Sequence, residues 1–175
     1  MADERVTIQL ATPIDAALLS NLLELYIHDL SGVFPVENGP DGRFGYPKLP
    51  LYWSEPDKRF PFLIQLAGRT IGFAFVTRGS PATNDPNVLD IAEFFILRRH
   101  RRNGFGRQAA ALLWERFPGR WIVRVSEGNR GAIPFWESAT RLYTGGQYKS
   151  GQRAGSPHPW RDFSFASPPD TLQRS

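Results

Sequence analysis

The chain has 175 residues, 41% hydrophobic and 22% charged, which excludes wholesale disorder and suffices for the core of one domain. Its formal charge of +4 favours anionic ligands, and the absence of cysteine excludes a disulfide framework, a Cys nucleophile and a thiolate metal site. No apolar run approaches membrane-spanning length and the first residues, MADERVTIQL, lack a signal-peptide core, so a cytoplasmic protein that does not engage a membrane is expected.

Val6 to Leu10 alternates apolar and polar residues, as a strand does, and Thr12-Pro13 ends it. Asp15 suits a helix cap, and Leu18, Leu19, Leu22, Leu23, Tyr26 and Ile27 recur at helical spacing until Ser31-Gly32. Val33 to Arg59 is rich in Pro, Gly and aromatics and is too long for a casual connector; loops of this kind are often functional. Phe60 to Leu66 and Thr70 to Thr77 form a predicted hairpin around Ala67-Gly68-Arg69. After a polar loop, Gly79 to Asn87, a long strand is predicted over Val88 to Leu97. A helix follows from Gly104 to Phe117, then a strand from Trp121 to Val125 and a helix from Asn129 to Thr140 with Pro134 near its start. Tyr143 to Lys149 and Trp160 to Ala166 complete the elements as two strands, with 167–175 as a polar tail. This order gives an α/β fold, a mixed sheet with helices on both faces in a single domain over 1–166.

The segment from Ile91 to Leu113, IAEFFILRRHRRNGFGRQAAALL, carries the most chemistry. An apolar strand enters a basic turn, Arg98, Arg99, His100, Arg101 and Arg102, and two close glycines then open a helix. Free amides at a helix start, with no side chain at the glycines to block approach, make a cradle for phosphate oxygens. Arg102, Asn103, Gly104, Phe105, Gly106 and Arg107 are therefore the candidates for holding a polyphosphate; the plainer reading is a solvated basic turn that caps a helix. Glu93 interrupts the apolar run of the strand. A carboxylate there either faces a cleft or is costly, and partial burial would raise its pKa, which suits a general base. The alternative is a structural ion pair. Asp90, three residues earlier, is the reserve; a bulge would decide which of the two faces a cleft.

Arg101-x-x-Gly104-x-Gly106 resembles the acyl-CoA pyrophosphate loop of the GNAT superfamily of N-acetyltransferases, and Asn129-x-x-Ala132-x-x-Phe135-Trp136 resembles the signature on that superfamily's next helix. The resemblance covers the second half of the chain by motif and the first half by order of elements. It implies a GNAT-like, mostly antiparallel sheet and acetyl-CoA as co-substrate. It implies a direct transfer to the amine of a small molecule or peptide, in a monomer or homodimer. It also implies that pantetheine lies beside Phe95, Ile96 and Leu97, with the Leu97 amide or a near neighbour's polarising the thioester, and that Asn129, Phe135 and Trp136 flank it. Trp136 departs from the pattern: many members carry a tyrosine there that protonates the leaving thiolate, and an indole N–H is a poor acid. Either Ser126, Ser138 or Tyr143 serves, or the thiolate leaves unassisted. By the same resemblance the first helix and the loop after it shape the acceptor site, where His28, Asp29, Tyr46, Tyr52, Trp53 and Glu55 are candidates, although each alone suits a satellite core equally well.

Other readings stay open at this stage. Gly104-x-Gly106-x-x-Ala109 also fits a dinucleotide fingerprint, with Glu127 about twenty residues on. Against it, RRHRRN separates the strand from the first glycine, and little chain remains to build further parallel strands. A nucleic-acid module would use Arg98 to Arg102, but charges elsewhere are mixed and no such motif appears. A CoA-binding sensor without catalysis is compatible with Trp136. The three histidines, His28, His100 and His158, have no metal-ligand spacing, so no metal is expected.

Overall fold

A computed structural model describes residues 5–168. The strands are β1 (Val6–Leu10), β2 (Arg59–Leu66), β3 (Arg69–Arg78), β4 (Leu89–Ile96), β5 (Gly119–Ser126), β6 (Lys149–Arg153) and β7 (Trp160–Ser167). The helices are α1 (Ala16–Leu30), α2 (Leu51–Ser54), α3 (Phe105–Arg116) and α4 (Ala132–Thr144). One seven-stranded sheet runs in the order β1-β2-β3-β4-β5-β7-β6, antiparallel except for β4 beside β5.

Strand alternation divides the core in two. One face packs Ala109, Ala110, Leu113 and Trp114 of α3 and Trp136 and Ala139 of α4 against Val76, Ile91, Val123 and Phe163. The other packs Leu19, Leu22 and Leu23 of α1, with Leu49 and Tyr52, against Leu63, Phe73, Phe75 and Phe95. Each of these large apolar side chains stabilises the fold by roughly 1.5–3 kcal/mol on burial. The long segment after α1 belongs to this second layer. Glu24 of α1 accepts the Phe44 amide at 2.7 Å and the Gly45 amide at 2.8 Å, and the short α2 buries Tyr52. Burial raises the Glu24 carboxyl, but those two amides and Arg43 outweigh it and hold the pKa below the usual value.

Two boundaries differ from expectation. Asn129 lies ahead of α4, which starts at Ala132 with Gly131 as its N-cap. The predicted strand over Tyr143 to Lys149 begins only at Lys149, because α4 runs on to Thr144 and stops where Gly145 (φ 61°) and Gly146 (φ 88°) adopt left-handed conformations. Tyr143 is thus helical. Its ring packs on Trp114, centroids 5.0 Å apart, and its hydroxyl meets that of Ser167 at 2.7 Å. Ser167, placed in the tail from sequence, is the buried end of β7, and 169–175 lie outside the described residues.

The sheet opens at one place. β5 pairs with β7 from Gly119 to Ser126, yet with β4 only through Leu89↔Trp121 and Asp90↔Ile122. Beyond that point β4 carries a bulge: Ile91 pairs with Val76 and Glu93 with Phe75, leaving Ala92 as the extra residue. A bulge bends and twists its strand. The bend coincides with the end of β4–β5 pairing, and a gap opens between Ile91–Ile96 and Val123–Ser126.

Candidate active site

The gap is bordered by two cavities. The larger, about 840 Å³, lies under the basic loop and α4; the smaller, about 630 Å³, lies between the α1 side and the ends of β2 and β3. They share Tyr26, Leu30, Phe94, Asn129, Ala132 and Trp136, so they meet at the splayed strands.

The larger cavity is bounded by the loop singled out from sequence. Arg98–His100 forms a 3₁₀ turn, and Arg101 then folds back, its Nε donating to the Ile96 carbonyl at 2.6 Å while its guanidinium lies over the Phe95 ring. Arg98 and Arg101 also bond the Asp29 carboxylate, at 2.6 and 2.7 Å, tying the loop to α1. Burial raises the Asp29 carboxyl, but these two guanidiniums prevail and lower its pKa. Arg102 and Gly104 take positive φ, 63° and 80°, and turn the chain into α3, where the first helical bond runs from the Gln108 amide to the Gly104 carbonyl at 3.1 Å. The amides of residues 102 to 107 therefore have no partner among the described residues. Arg102 and Arg107 line this cavity without an ion pair among the described residues. At Gly106 a Cβ would meet the Phe135 ring at 3.0 Å, so that glycine lets Phe135 close the wall. The donor set suits a pyrophosphate: clustered free amides, two unpaired cations and a helix start.

The expected residues divide as follows. Gly104, Gly106, Arg102, Arg107, Phe95, Ile96, Asn129, Phe135 and Trp136 line the larger cavity. Asn103 and Phe105 do not; the Asn103 side chain bonds the Arg101 carbonyl, and Phe105 packs on the core. Leu97 is a correction. Its amide donates to the Ile71 carbonyl at 2.8 Å and so points at β3, away from the gap. Because antiparallel ladders alternate, the main-chain groups of Phe94 and Ile96 face the β5 side instead, as the Arg101 bond to the Ile96 carbonyl attests. Trp136 is buried, edge-on to Phe94 and Phe135 at 4.9 Å each, and walls both cavities. Of the alternative acids, Ser126 lines the smaller cavity and Ser138 the larger, whereas Tyr143 lines neither.

In the smaller cavity Glu93 accepts hydrogen bonds from the hydroxyls of Tyr26 (2.7 Å) and Tyr46 (2.9 Å). Burial raises its pKa above the ordinary carboxyl value, against the pull of the two tyrosines. The same burial, with the Glu93 charge, raises the tyrosines: Tyr26 and Tyr46 strongly, Tyr52 to about 12. Tyr26 and Tyr46 thus remain protonated donors to Glu93. The bulge puts Asp90 and Glu93 on one face of the sheet, since their partners, Thr77 and Phe75, are two residues apart. Their fates differ. Asp90 is fully buried, bonded to Arg124 Nε at 2.6 Å and to the Ser80 hydroxyl, and lines neither cavity. Of the acceptor-side candidates, Tyr46, Tyr52 and Glu55 line this cavity, and Asp29 the other. His28 and Trp53 line neither; the Trp53 indole donates to the Ala11 carbonyl. Sequence reasoning missed Tyr26 as a site residue, reading it only as part of an apolar stripe. It also missed Lys48, Lys58, Arg78 and Trp160, which no local pattern marks.

A family model described as the acetyltransferase (GNAT) family matches residues 19–140, from α1 into α4. The chain belongs to this family. An acetyltransferase from Thermus thermophilus is 17% identical over 95% of this chain and 99% of its own, with a TM-score of 0.71. The aminoglycoside acetyltransferase AAC(6')-Ib, solved with coenzyme A, is 20% identical over 97% and 99%, TM-score 0.71. Spermidine N-acetyltransferase from Vibrio cholerae, solved with CoA and spermine, is 14% identical over 94% and 96%, TM-score 0.64. No curated protein matches the chain. The dinucleotide reading gives way to this topology: β4 and β5 are the one parallel pair among the described strands, and Glu127 is held by Arg161 and Gln152. Among the described residues no helix is long and apolar enough to cross a membrane, and no cluster of His, Asp or Glu could hold a metal.

Proposed function

We propose that this acetyltransferase moves the acetyl group of acetyl-CoA to a primary amine by direct attack, with both substrates bound together. The observation that carries the reading is the meeting of a cavity rimmed by loop amides unpartnered among the described residues with a second one holding a partly buried carboxylate. The amides of residues 102 to 107, with Arg102 and Arg107, hold the pyrophosphate. Phe94 and Ile96 offer main-chain groups to the pantetheine and the thioester carbonyl, with Asn129, Phe135 and Trp136 around them. Acetyl-CoA supplies an activated acyl group.

Glu93 does the proton work. It takes the proton of the entering amine as the nitrogen bonds the acetyl carbon and the C–S bond breaks, the sulfur leaving with the electron pair. Its raised pKa brings it nearer to a useful base, and the two tyrosine hydroxyls aim it. Trp136 cannot protonate the sulfur; the thiolate leaves unassisted or accepts a hydrogen bond from the Ser126 or Ser138 hydroxyl. The amines named for the solved relatives, an aminoglycoside and a polyamine, show what this fold can accommodate.

Calorimetric titration with acetyl-CoA, with NADH and NADPH as parallel ligands, followed by a thiol-release assay over an amine panel, tests the reading. Micromolar binding of acetyl-CoA alone and amine-dependent release are expected. Binding without release for any amine would leave a CoA-binding sensor.

A further inference from the structure

The charges around the smaller cavity do not suit a polycation. Its carboxylates are Glu55 and Glu93, against Lys48, Lys58, Arg59, Arg78 and Arg124. Two of these cations are matched: Arg59 pairs with Glu55 at 2.5 Å, and Arg124 with Asp90 at 2.6 Å. Lys48, Lys58 and Arg78 make no side-chain hydrogen bond or ion pair among the described residues, and all three are exposed at the mouth. They come from three segments: the loop after α1, the residue before β2 and the end of β3. The Lys58 carbonyl accepts the Arg78 amide at 2.8 Å, so two of these cations spring from neighbouring backbone. Glu93, inside, is the carboxyl left over, and Lys48 lies close enough for its charge to act on it.

Between mouth and floor the walls are aromatic. Tyr46 and Tyr52 pack on Phe75, and Phe34 stacks on Trp160, centroids 5.9 Å apart. An acceptor that fills this space therefore meets a carboxyl at its amine end, rings along its body and unmatched positive charge at the entrance.

We infer that the acceptor is an amine that also bears an anionic group, a carboxylate or a phosphate, gripped at the mouth by Lys48, Lys58 and Arg78 while the amine reaches Glu93. This inference rests on the transferase reading above and narrows its substrate class away from polyamines and aminoglycosides. A polycation would place its surplus charge against three unpaired cations with one carboxyl to offset them.

Matched pairs of amines test it in the thiol-release assay: tryptophan against tryptamine, phenylalanine against phenethylamine, and phosphoethanolamine against ethanolamine, with spermidine and kanamycin as polycations. The acid-bearing member of at least one pair is expected to show kcat/KM at least about fivefold higher, a modest factor because the cations are exposed. Which pair shows the larger ratio separates carboxylate from phosphate. The ratio is expected to fall as salt is raised on the unmodified protein, and to collapse toward one in Lys58→Met/Arg78→Met and in Lys48→Met. Preference for the plain amines, or for spermidine or kanamycin, would overturn the inference and leave the transferase intact. Acetyl-CoA binding without thiol release for any amine would overturn both.

Discussion

At the rim of the larger cavity the candidate pyrophosphate cradle is main chain from one contiguous stretch: six amides between Arg102 and Arg107, presented by a left-handed turn into α3. The smaller cavity is made of side chains from α1, the long loop, β2, β3, β4, β5 and β7, meeting only through the fold. A site made of amides tolerates most changes of side chain and fails when backbone shape changes. A site made of side chains depends on single atoms, such as the hydroxyls of Tyr26 and Tyr46. The contrast suits an enzyme that keeps one donor and must choose its acceptor.

Neutralising the central carboxyl of the side-chain site gives the largest expected effect. Glu93→Gln is expected to lower kcat by about 100-fold or more while acetyl-CoA affinity stays within a factor of two. Calorimetry and initial rates on one preparation check both. The stability sign follows from the same carboxyl. Its folded pKa is raised, so the folded state binds the proton more tightly, and stability is lost as pH rises through that pKa. Melting curves should therefore show Glu93→Gln gaining on the unmodified protein as pH rises from the acid side of that pKa to neutrality. Absence of that gain would mean that the Glu93 carboxyl keeps its ordinary pKa in the folded protein.

Backbone shape comes next. Gly104→Val forces a β-branched residue into φ near 80°, and Gly106→Val drives a Cβ into the Phe135 ring. Each is expected to weaken acetyl-CoA about 100-fold, the loss of two charge-assisted hydrogen bonds, with the fold retained and the melting temperature lowered by roughly a few degrees. Retained affinity in both would move the pyrophosphate elsewhere. A smaller effect is expected at Tyr46→Phe. Its hydroxyl holds the Glu93 pKa down, so its loss raises that pKa further and shifts the acid limb of kcat/KM to higher pH. The rate should fall about tenfold on the acid side and little above it. An unmoved limb would mean that Tyr46 only packs. Arg102→Ala should cost least, a few-fold in acetyl-CoA affinity that disappears at high salt, since an exposed cation acts by a screened field.

Legibility in the sequence follows the same division. The candidate phosphate loop was readable because glycine, basic charge and helix start are neighbours in the chain, and the order of elements was readable from alternation and turn residues. Glu93 stood out as a lone carboxylate in an apolar strand. Its partners could not be found the same way. Tyr26 sits in a leucine-rich stripe and Tyr46 in an aromatic-rich loop, and nothing local distinguishes either from core. Leu97 failed for a geometric reason: the direction of an amide depends on strand register, which the neighbouring strand sets. Tyr143 was misread because an aromatic residue just before two glycines suits a strand end and a helix C-terminus alike.

The bulge in β4 has a consequence that substitutions cannot reach. Over the stretch where β3 spends Phe75 and Val76, β4 spends Ile91, Ala92 and Glu93. Deleting Ala92 would take a single methyl group from the wall of the smaller cavity, yet it would let β4 lie flat against β5 and zip the sheet shut where pantetheine is proposed to thread. The door to this enzyme is thus kept by the count of residues in one strand, and the changes that would close it are indels, which a scan of point mutants never samples.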